Sequence, residues 1–207
     1  MDPDEKRYET LPGREIVDAT ADAMRARGFD VIVAEDGREA LKKLKEIVPE
    51  GSSVMTGSST TLYEIGFSAL LEEGRWNDMH RLVLEEQDPA KRAEVRKEVA
   101  IRADFFLASA NALSSDGKIV SCDASGSRVS AYPFDAKRLV LVVGAQKIAG
   151  SLEEAMARVR NYAFLLEDQR ARKAYGVGSS LAKWVILERE AIPHRVTVIL
   201  VNEKLGF

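Results

Sequence analysis

Four hydroxyl side chains follow a glycine between a short apolar strand and an amphipathic helix. The five residues are Gly57, Ser58, Ser59, Thr60 and Thr61. A loop of this kind turns backbone N–H groups and hydroxyls toward one point, and the helix that follows adds the positive end of its dipole. The pattern therefore predicts a binding site for an anion such as a phosphate or a carboxylate. The alternative is that the loop only caps its helix, since Ser and Thr are common N-cap residues.

Two further polar segments begin where an apolar strand ends. One contains Asn111, Asp116 and Gly117, and the other ends at Lys147. In open α/β sheets, ligands bind outside the carboxyl ends of the strands, so parallel neighbouring strands place such segments at one edge. We therefore predict a pocket that combines the anion-binding loop with an amide, a carboxylate and a cation. Arg128, in a glycine-containing turn, is predicted to close this pocket.

Several of these residues also have a purely structural explanation. An Asp-Gly pair such as Asp116-Gly117 is typical of a hairpin turn, and Lys147 alone fits a solvated lysine at the end of a strand. Glu64 lies in the first turn of a helix, where a carboxylate interacts favourably with the dipole. Glu64 and Asp116 are nevertheless the two candidates for a general base or a nucleophile. The sequence leaves open whether the protein is an enzyme.

Several common kinds of site are excluded by the sequence. There is no Gly-Lys-Ser/Thr phosphate loop, no GxGxxG fingerprint and no Gly-x-Ser-x-Gly elbow. Cys122 is the single cysteine, so the chain forms no internal disulfide and holds no iron–sulfur cluster with its own thiolates. We expect Cys122 to be a small buried residue in a strand. His80 and His194 lack metal-ligand spacing, and we predict neither a metal nor a cofactor.

The composition is that of an ordinary soluble globular protein. The 207 residues are 45% hydrophobic and 30% charged, with a net charge of −3, so no basic field indicates nucleic acid or an anionic membrane. No apolar run approaches the roughly 20 residues that span a bilayer. Residues 1–12 are polar and lack the apolar core of a signal peptide. We predict a single cytoplasmic domain over residues 1–207, with residues 1–12 flexible.

Helical and strand patterns alternate along the chain, which predicts an α/β protein with an at least partly parallel sheet covered by helices. The apolar run 139–143 is typical of a strand at the centre of a sheet. Residues 118–122 and 128–131 predict a hairpin. The predicted helices cover approximately residues 16–27, 36–48, 60–73, 89–102 and 151–166, and the other predicted strands cover residues 29–34, 53–56, 105–108, 184–187 and 196–201.

Nine short motifs occur in a fixed order over nearly the whole chain. They are residues 57–66, 103–107, 111–113, 116–120, 126–129, 142–148, 152–155, 158–161 and 196–207. In this order they resemble the lactate-utilisation protein family, the LUD domain. The resemblance implies the three-layer α/β/α fold, with a mainly parallel sheet, of ribose-5-phosphate isomerases, glucosamine-6-phosphate deaminases and CoA transferases. In that fold the loop after an early strand holds a phosphate or a similar anion, which corresponds here to the loop 57–61.

The chain departs from the family pattern in two ways. Close relatives carry a cysteine-rich segment after the long helix, whereas residues 173–184 contain no cysteine. This member is therefore not expected to bind a cluster. In addition, Ser127 and Gln146 stand where the family usually has asparagine, which changes the reach of the hydrogen-bonding groups at both positions.

The resemblance implies a part in the utilisation of lactate or another organic acid. Together with the polar segments at the strand ends, it leaves two functions. The first is the binding of a small anionic metabolite that bears a phosphate, a carboxylate or CoA at the strand ends. The alternative is a non-catalytic accessory subunit that docks to iron–sulfur proteins of a lactate-oxidising complex. A homodimer is also compatible with the sequence, because small α/β domains often bury an edge in that way.

Overall fold

A computed structural model describes the backbone of residues 3–207 and the side chains of residues 6–207. Its helices are α1 (Pro3–Glu9), α2 (Arg14–Ala26), α3 (Gly37–Ile47), α4 (Thr60–Glu64), α5 (Phe67–Glu72), α6 (Met79–Glu85), α7 (Pro89–Arg102), α8 (Leu152–Arg158) and α9 (Phe164–Tyr175). Its strands are β1 (Asp30–Ala34), β2 (Ser53–Thr56), β3 (Asn77–Asp78), β4 (Phe105–Ala108), β5 (Ala112–Ser114), β6 (Ile119–Asp123), β7 (Leu139–Gly144), β8 (Ile148–Ala149), β9 (Lys183–Leu187) and β10 (Val196–Val201).

The central sheet contains six strands in the order β1-β10-β7-β4-β2-β3, and every neighbouring pair is parallel. Along β7, the side chains of Leu139, Leu141 and Val143 pack into one core, and those of Val140 and Val142 pack into another. The alternation arises because successive side chains of a strand point to opposite faces of the sheet. Helices α2, α6 and α7 cover the first face, and α3, α4 and α5 cover the second. The predicted three-layer α/β/α class and the central position of residues 139–143 are confirmed.

A second, mixed sheet contains β8-β5-β6-β9 and packs against α8 and the turn that follows it. The predicted hairpin between residues 118–122 and 128–131 is wrong, because β6 pairs with β5 and β9. Residues 129–131 instead form a 3₁₀ turn. The cause is local: the Asp123 carboxylate accepts hydrogen bonds from the backbone N–H groups of Ser125 and Arg128, at 3.3 and 2.9 Å. These bonds close residues 123–128 into a compact loop.

The first twelve residues, predicted to be flexible, include helix α1. The Tyr8 and Tyr162 rings lie 5.6 Å apart, and the Tyr162 hydroxyl donates a 2.7 Å hydrogen bond to Glu9. These contacts hold the end of α1 against the helical layer. Residues 1 and 2 lie outside the described part of the chain. Within residues 3–207, each helix is too short or too polar to cross a bilayer.

The helix predicted over residues 60–73 is divided into α4 and α5 at Gly66. This residue adopts φ +83°, in the left-handed region that side chains disfavour. We expect Gly66→Ala to lower the free energy of unfolding by about 1–2 kcal/mol, the usual cost of that conformation. Because asparagine tolerates the left-handed region, Gly66→Asn should cost less. Chemical denaturation of both variants checks this, and an alanine variant as stable as the wild type would contradict it.

Candidate functional site

The loops that follow β2, β4 and β7 meet in one pocket at the carboxyl edge of the central sheet. The cavity has a volume of about 120 Å³. It brings together the side chains of Thr60, Asn111 and Lys147, which belong to the three polar segments of the sequence. The β2–β4 and β4–β7 pairs are parallel neighbours, so their carboxyl ends lie side by side. The expected convergence of the three segments is therefore present.

Lys147 lies at the base of this pocket and is only 2% exposed. Its Nζ atom lies 3.4 Å from the Thr61 hydroxyl, 3.2 Å from the Ser109 hydroxyl and 3.3 Å from the Ala110 carbonyl oxygen. Within the described part of the chain, no carboxylate lies within ion-pair distance of this amine. The amine is therefore held by neutral oxygen atoms alone.

Burial sets the acid–base behaviour of Lys147. Removal of water around the amine lowers its pKa well below the ordinary value, because the charged form loses its hydration. The positive charges of Arg158 and Arg128 lower the pKa further, and Glu64 opposes the shift. At neutral pH a larger fraction of Lys147 is therefore unprotonated than of a solvated lysine.

Arg128 closes one side of the pocket, as the sequence predicted. Its Nη1 donates to the Ser109 carbonyl oxygen at 3.2 Å and to the Tyr132 hydroxyl at 3.0 Å. Its Nη2 donates to the Asn111 side-chain oxygen at 3.2 Å and to the Cys122 carbonyl oxygen at 2.7 Å. The guanidinium therefore brings a second positive charge to the pocket and also fixes the segment after β4.

The hydroxyl loop caps its helix at one residue and lines the pocket at others. The Ser59 hydroxyl accepts a 3.3 Å hydrogen bond from the Leu62 N–H, which is a helix cap. Ser58 lines the pocket, and its hydroxyl lies 3.3 Å from that of Tyr175. Thr61 is buried beside Lys147. Since α4 has only five residues, its dipole is small. The argument for an anion site therefore depends on the polar side chains.

Gly57 lies beneath the Arg128 side chain, outside the lining of the 120 Å³ pocket. A Cβ atom at this glycine would lie 3.2 Å from the Arg128 Cδ. Gly57 lines an adjoining groove of about 440 Å³, which shares Ser58, Ser59 and Thr60 with the pocket. The loop of residues 57–61 therefore separates a small pocket from a larger open groove.

Asp116 and Gly117 do not line the pocket, contrary to the prediction. They form the turn between β5 and β6, because the chain enters the second sheet directly after Asn111. The Asp116 carboxylate pairs with Lys118 and with Arg27. The ammonium of Lys118, followed by the hydroxyl of Ser114, lowers the pKa of Asp116. The structural explanation of this pair, a hairpin turn, is the correct one.

Glu64, the other candidate base, also lies outside the pocket lining. Its Oε2 accepts a 2.6 Å hydrogen bond from the Gly206 N–H and so fastens the C-terminal segment. Gln146 has a similar role, because its side-chain amide donates to the Leu205 carbonyl oxygen at 2.9 Å. Ser127 contacts Arg96 at 3.3 Å instead of the pocket. Of the two positions that depart from the family pattern, Gln146 supports the pocket edge and Ser127 lies apart from it.

Four parts of the pocket wall were not predicted from the sequence. These are the C-terminal residues Gly206 and Phe207, the loop residues Ser179, Ser180 and Leu181, the helical residues Val159, Ala163, Phe164 and Glu167, and residues 122–124 at the end of β6. Residues 159–163 form a π turn between α8 and α9. Such turns are frequent at functional sites, but their insertion into a helix has no clear sequence pattern.

Cys122 is free, 7% exposed and part of the pocket lining, and burial raises the pKa of its thiol. His194 lies elsewhere, 2.9 Å from the Asp30 carboxylate. His80 is partly buried in the adjoining groove, and burial lowers its pKa. Among residues whose side chains are described, no three His, Cys, Asp or Glu residues are placed to hold a metal ion.

Comparisons with known proteins agree with this architecture. The fold resembles a crystal structure described as a DUF162 family protein from Deinococcus radiodurans, with a TM-score of 0.58 and 14% sequence identity. The similarity covers 93% of this chain and 99% of that one. No curated protein matches the sequence. The sequence profile of the LUD domain matches residues 17–201, which is most of the chain. The protein therefore belongs to the LUD domain family.

Proposed function

We propose that the pocket binds the anionic group of a small metabolite that bears a phosphate, a carboxylate or CoA. The observation that carries this proposal is the burial of Lys147 without a carboxylate partner among the side chains of residues 6–207. Burying an amine that carries charge is costly unless an opposite charge compensates it. A ligand anion would supply that charge where the protein does not.

The other polar groups of the pocket are consistent with an anionic ligand. The hydroxyls of Ser58, Thr61 and Ser109 provide donors beside the cations. The two acidic residues in the lining are already engaged: Asp123 accepts from the Arg128 N–H, and both oxygens of Glu167 accept from Arg170 at 2.7 Å. Glu167 is thus paired with a cation, whereas the negative charge of Asp123 acts on Arg128, so Lys147 is the main cation for a ligand.

The size of the pocket restricts the ligand. A cavity needs a volume of about 10–15 Å³ to hold a single water molecule. The 120 Å³ pocket therefore accommodates a small polar group and not a whole cofactor. A ligand as long as a CoA ester would extend past Ser58 into the adjoining groove. The family is associated with lactate utilisation, and small organic acids are within the proposed range.

The proposal predicts stabilisation of the protein by its ligand class. Thermal unfolding would be followed with inorganic phosphate, sugar phosphates, hydroxy acids, CoA esters and nucleotides. A ligand present at 100 times its dissociation constant should add about 2.7 kcal/mol of stability. Ser109→Ala removes a hydroxyl beside Lys147 and should weaken binding about tenfold, the effect of one hydrogen bond.

Ser127→Ala is the matched control, because this hydroxyl lies outside the pocket lining. The control should bind as the wild type does. Equal binding by the Ser109 variant, or no shift with any anion, would contradict the proposal. In the second case, isolation of the protein together with iron–sulfur proteins would favour the accessory-subunit alternative.

A further inference from the structure

The contacts of Lys147 differ from those of the lysines that form ion pairs. Lys118 pairs with Asp116, Lys137 with Asp104 and Lys204 with Glu9. The contacts of Lys147 are two hydroxyls and a backbone carbonyl. A carboxylate partner keeps an amine protonated, whereas hydroxyl partners do not require the charged form.

The same contacts satisfy a neutral amine. Its two N–H bonds can donate, one of them to the Ala110 carbonyl oxygen at 3.3 Å. The protonated amine donates to the Ser109 hydroxyl at 3.2 Å; in the neutral form this hydroxyl can turn from the Ala110 carbonyl oxygen, 3.3 Å away, and donate to the lone pair instead. A neutral, desolvated lysine amine is a nucleophile toward carbonyl compounds.

We infer that Lys147 forms a Schiff base with a small aldehyde or ketone that carries an anionic group. This inference rests on the proposed anion pocket and narrows its substrate class. The Nζ lone pair attacks the carbonyl carbon, and the oxygen takes the proton that nitrogen loses. The resulting carbinolamine takes one proton from solvent and expels its hydroxyl as water, which leaves a protonated C=N bond on Lys147.

The charges of the pocket suit this product. The iminium is positive, and no side-chain carboxylate of residues 6–207 pairs with the nitrogen of Lys147. The anionic group of the bound compound therefore supplies the missing negative charge. Arg128, whose terminal N–H groups are held by the protein, contributes its positive charge, and the hydroxyls of Ser58 and Thr61 in the same lining can orient that group. A carbonyl compound without an anionic group lacks both interactions.

Reductive trapping tests the inference. The protein would be incubated with glyoxylate or glycolaldehyde phosphate and cyanoborohydride, and the site of modification would be found by peptide mass spectrometry. We expect one dominant adduct, on Lys147, formed at least tenfold faster than on Lys118. Glycolaldehyde, which lacks the anion, should give much less. The two anionic probes distinguish a carboxylate from a phosphate ligand.

Three variants make the test decisive. Lys147→Met and Lys147→Arg should both lose the dominant adduct, and the arginine variant retains a cation in case the methionine variant does not fold. Lys118→Met, which removes a paired lysine, should keep it. Adducts spread evenly over many lysines would overturn the inference. Anion-dependent stabilisation without trapping would overturn it and leave the anion pocket intact, whereas the absence of both would overturn both proposals.

Discussion

Replacement of Lys147 by methionine is expected to stabilise the ligand-free protein and to abolish its stabilisation by anions. Methionine has a similar length and no charge, so it removes the cost of burying an amine that has no carboxylate partner among the described side chains. Exchange of buried ionic groups for apolar ones is often stabilising by about 1–4 kcal/mol. A residue that costs stability in the free protein is typical of a functional site.

The pH dependence provides an internal check on this prediction. Because the pKa of Lys147 is lowered in the folded state, the unfolded chain binds more protons at pH values between that lowered pKa and the ordinary value of 10.5. Stability therefore rises with pH across this window. The advantage of Lys147→Met should be largest below the window and should shrink as the pH approaches 10.5.

Urea denaturation at several pH values, with and without a binding anion, measures both effects. Lys118→Met is the matched control, because Lys118 is paired with Asp116 outside the pocket. The control should keep its response to anions. A Lys147→Met protein that is less stable than the wild type at neutral pH, or that is still stabilised by anions, would contradict the prediction.

The central sheet and its edge were predictable because their signals are local. An uninterrupted apolar run such as Leu139–Gly144 indicates a strand buried on both faces, and the structure places it in the middle of the sheet. The Asp36 side chain accepts from the Glu39 N–H and starts α3, within the helix predicted over residues 36–48. Parallel strands then bring their carboxyl ends together, and so Thr60 and Lys147 meet.

Other features depend on contacts between distant residues and were not predictable from local pattern. The partner of β6 on one side is β9, more than fifty residues later in the chain, and the sequence around Arg128 gives no sign of this pairing. The apolar residues of 128–131 favour a strand, but the Asp123 side chain closes them into a turn. The C-terminal wall of the pocket depends on Gln146 and Glu64, which hydrogen-bond to the backbone of residues 205–206.

The same distinction explains why Asp116 was misplaced. Both Asn111 and Asp116 follow β4 in one polar segment, and pattern alone treats them as a unit. The three-residue strand β5 begins at Ala112 and carries Asp116 into the second sheet, away from the edge of the first. A strand of that length is too short to be recognised by periodicity. The place of a polar residue in the fold therefore depends more on the course of the strand before it than on its order in the sequence.

Gly117→Ala is expected to be among the most destabilising single changes in the protein, although Gly117 lies outside the pocket. Gly117 adopts φ +92°, and a Cβ atom there would lie 2.6 Å from the backbone carbon of Ala23 in α2. The left-handed conformation costs about 1–2 kcal/mol. The overlap with helix backbone, which has no flexible end to move, adds about 1–3 kcal/mol. We expect a total loss of about 2–5 kcal/mol and a fall in Tm of about 10 °C.

Gly51→Ala separates the two contributions, because Gly51 has φ +86° and no atom within 4 Å of the position of a Cβ. This control should show the conformational cost alone. Since Asp116 and Gly117 form a structural turn, the folded Gly117→Ala protein should keep its affinity for anions, measured by calorimetry well below its Tm. A Gly117→Ala protein that folds but no longer binds the anion that the wild type binds would show that this turn belongs to the binding site. A loss of stability no larger than that of Gly51→Ala would show that α2 moves away from the turn.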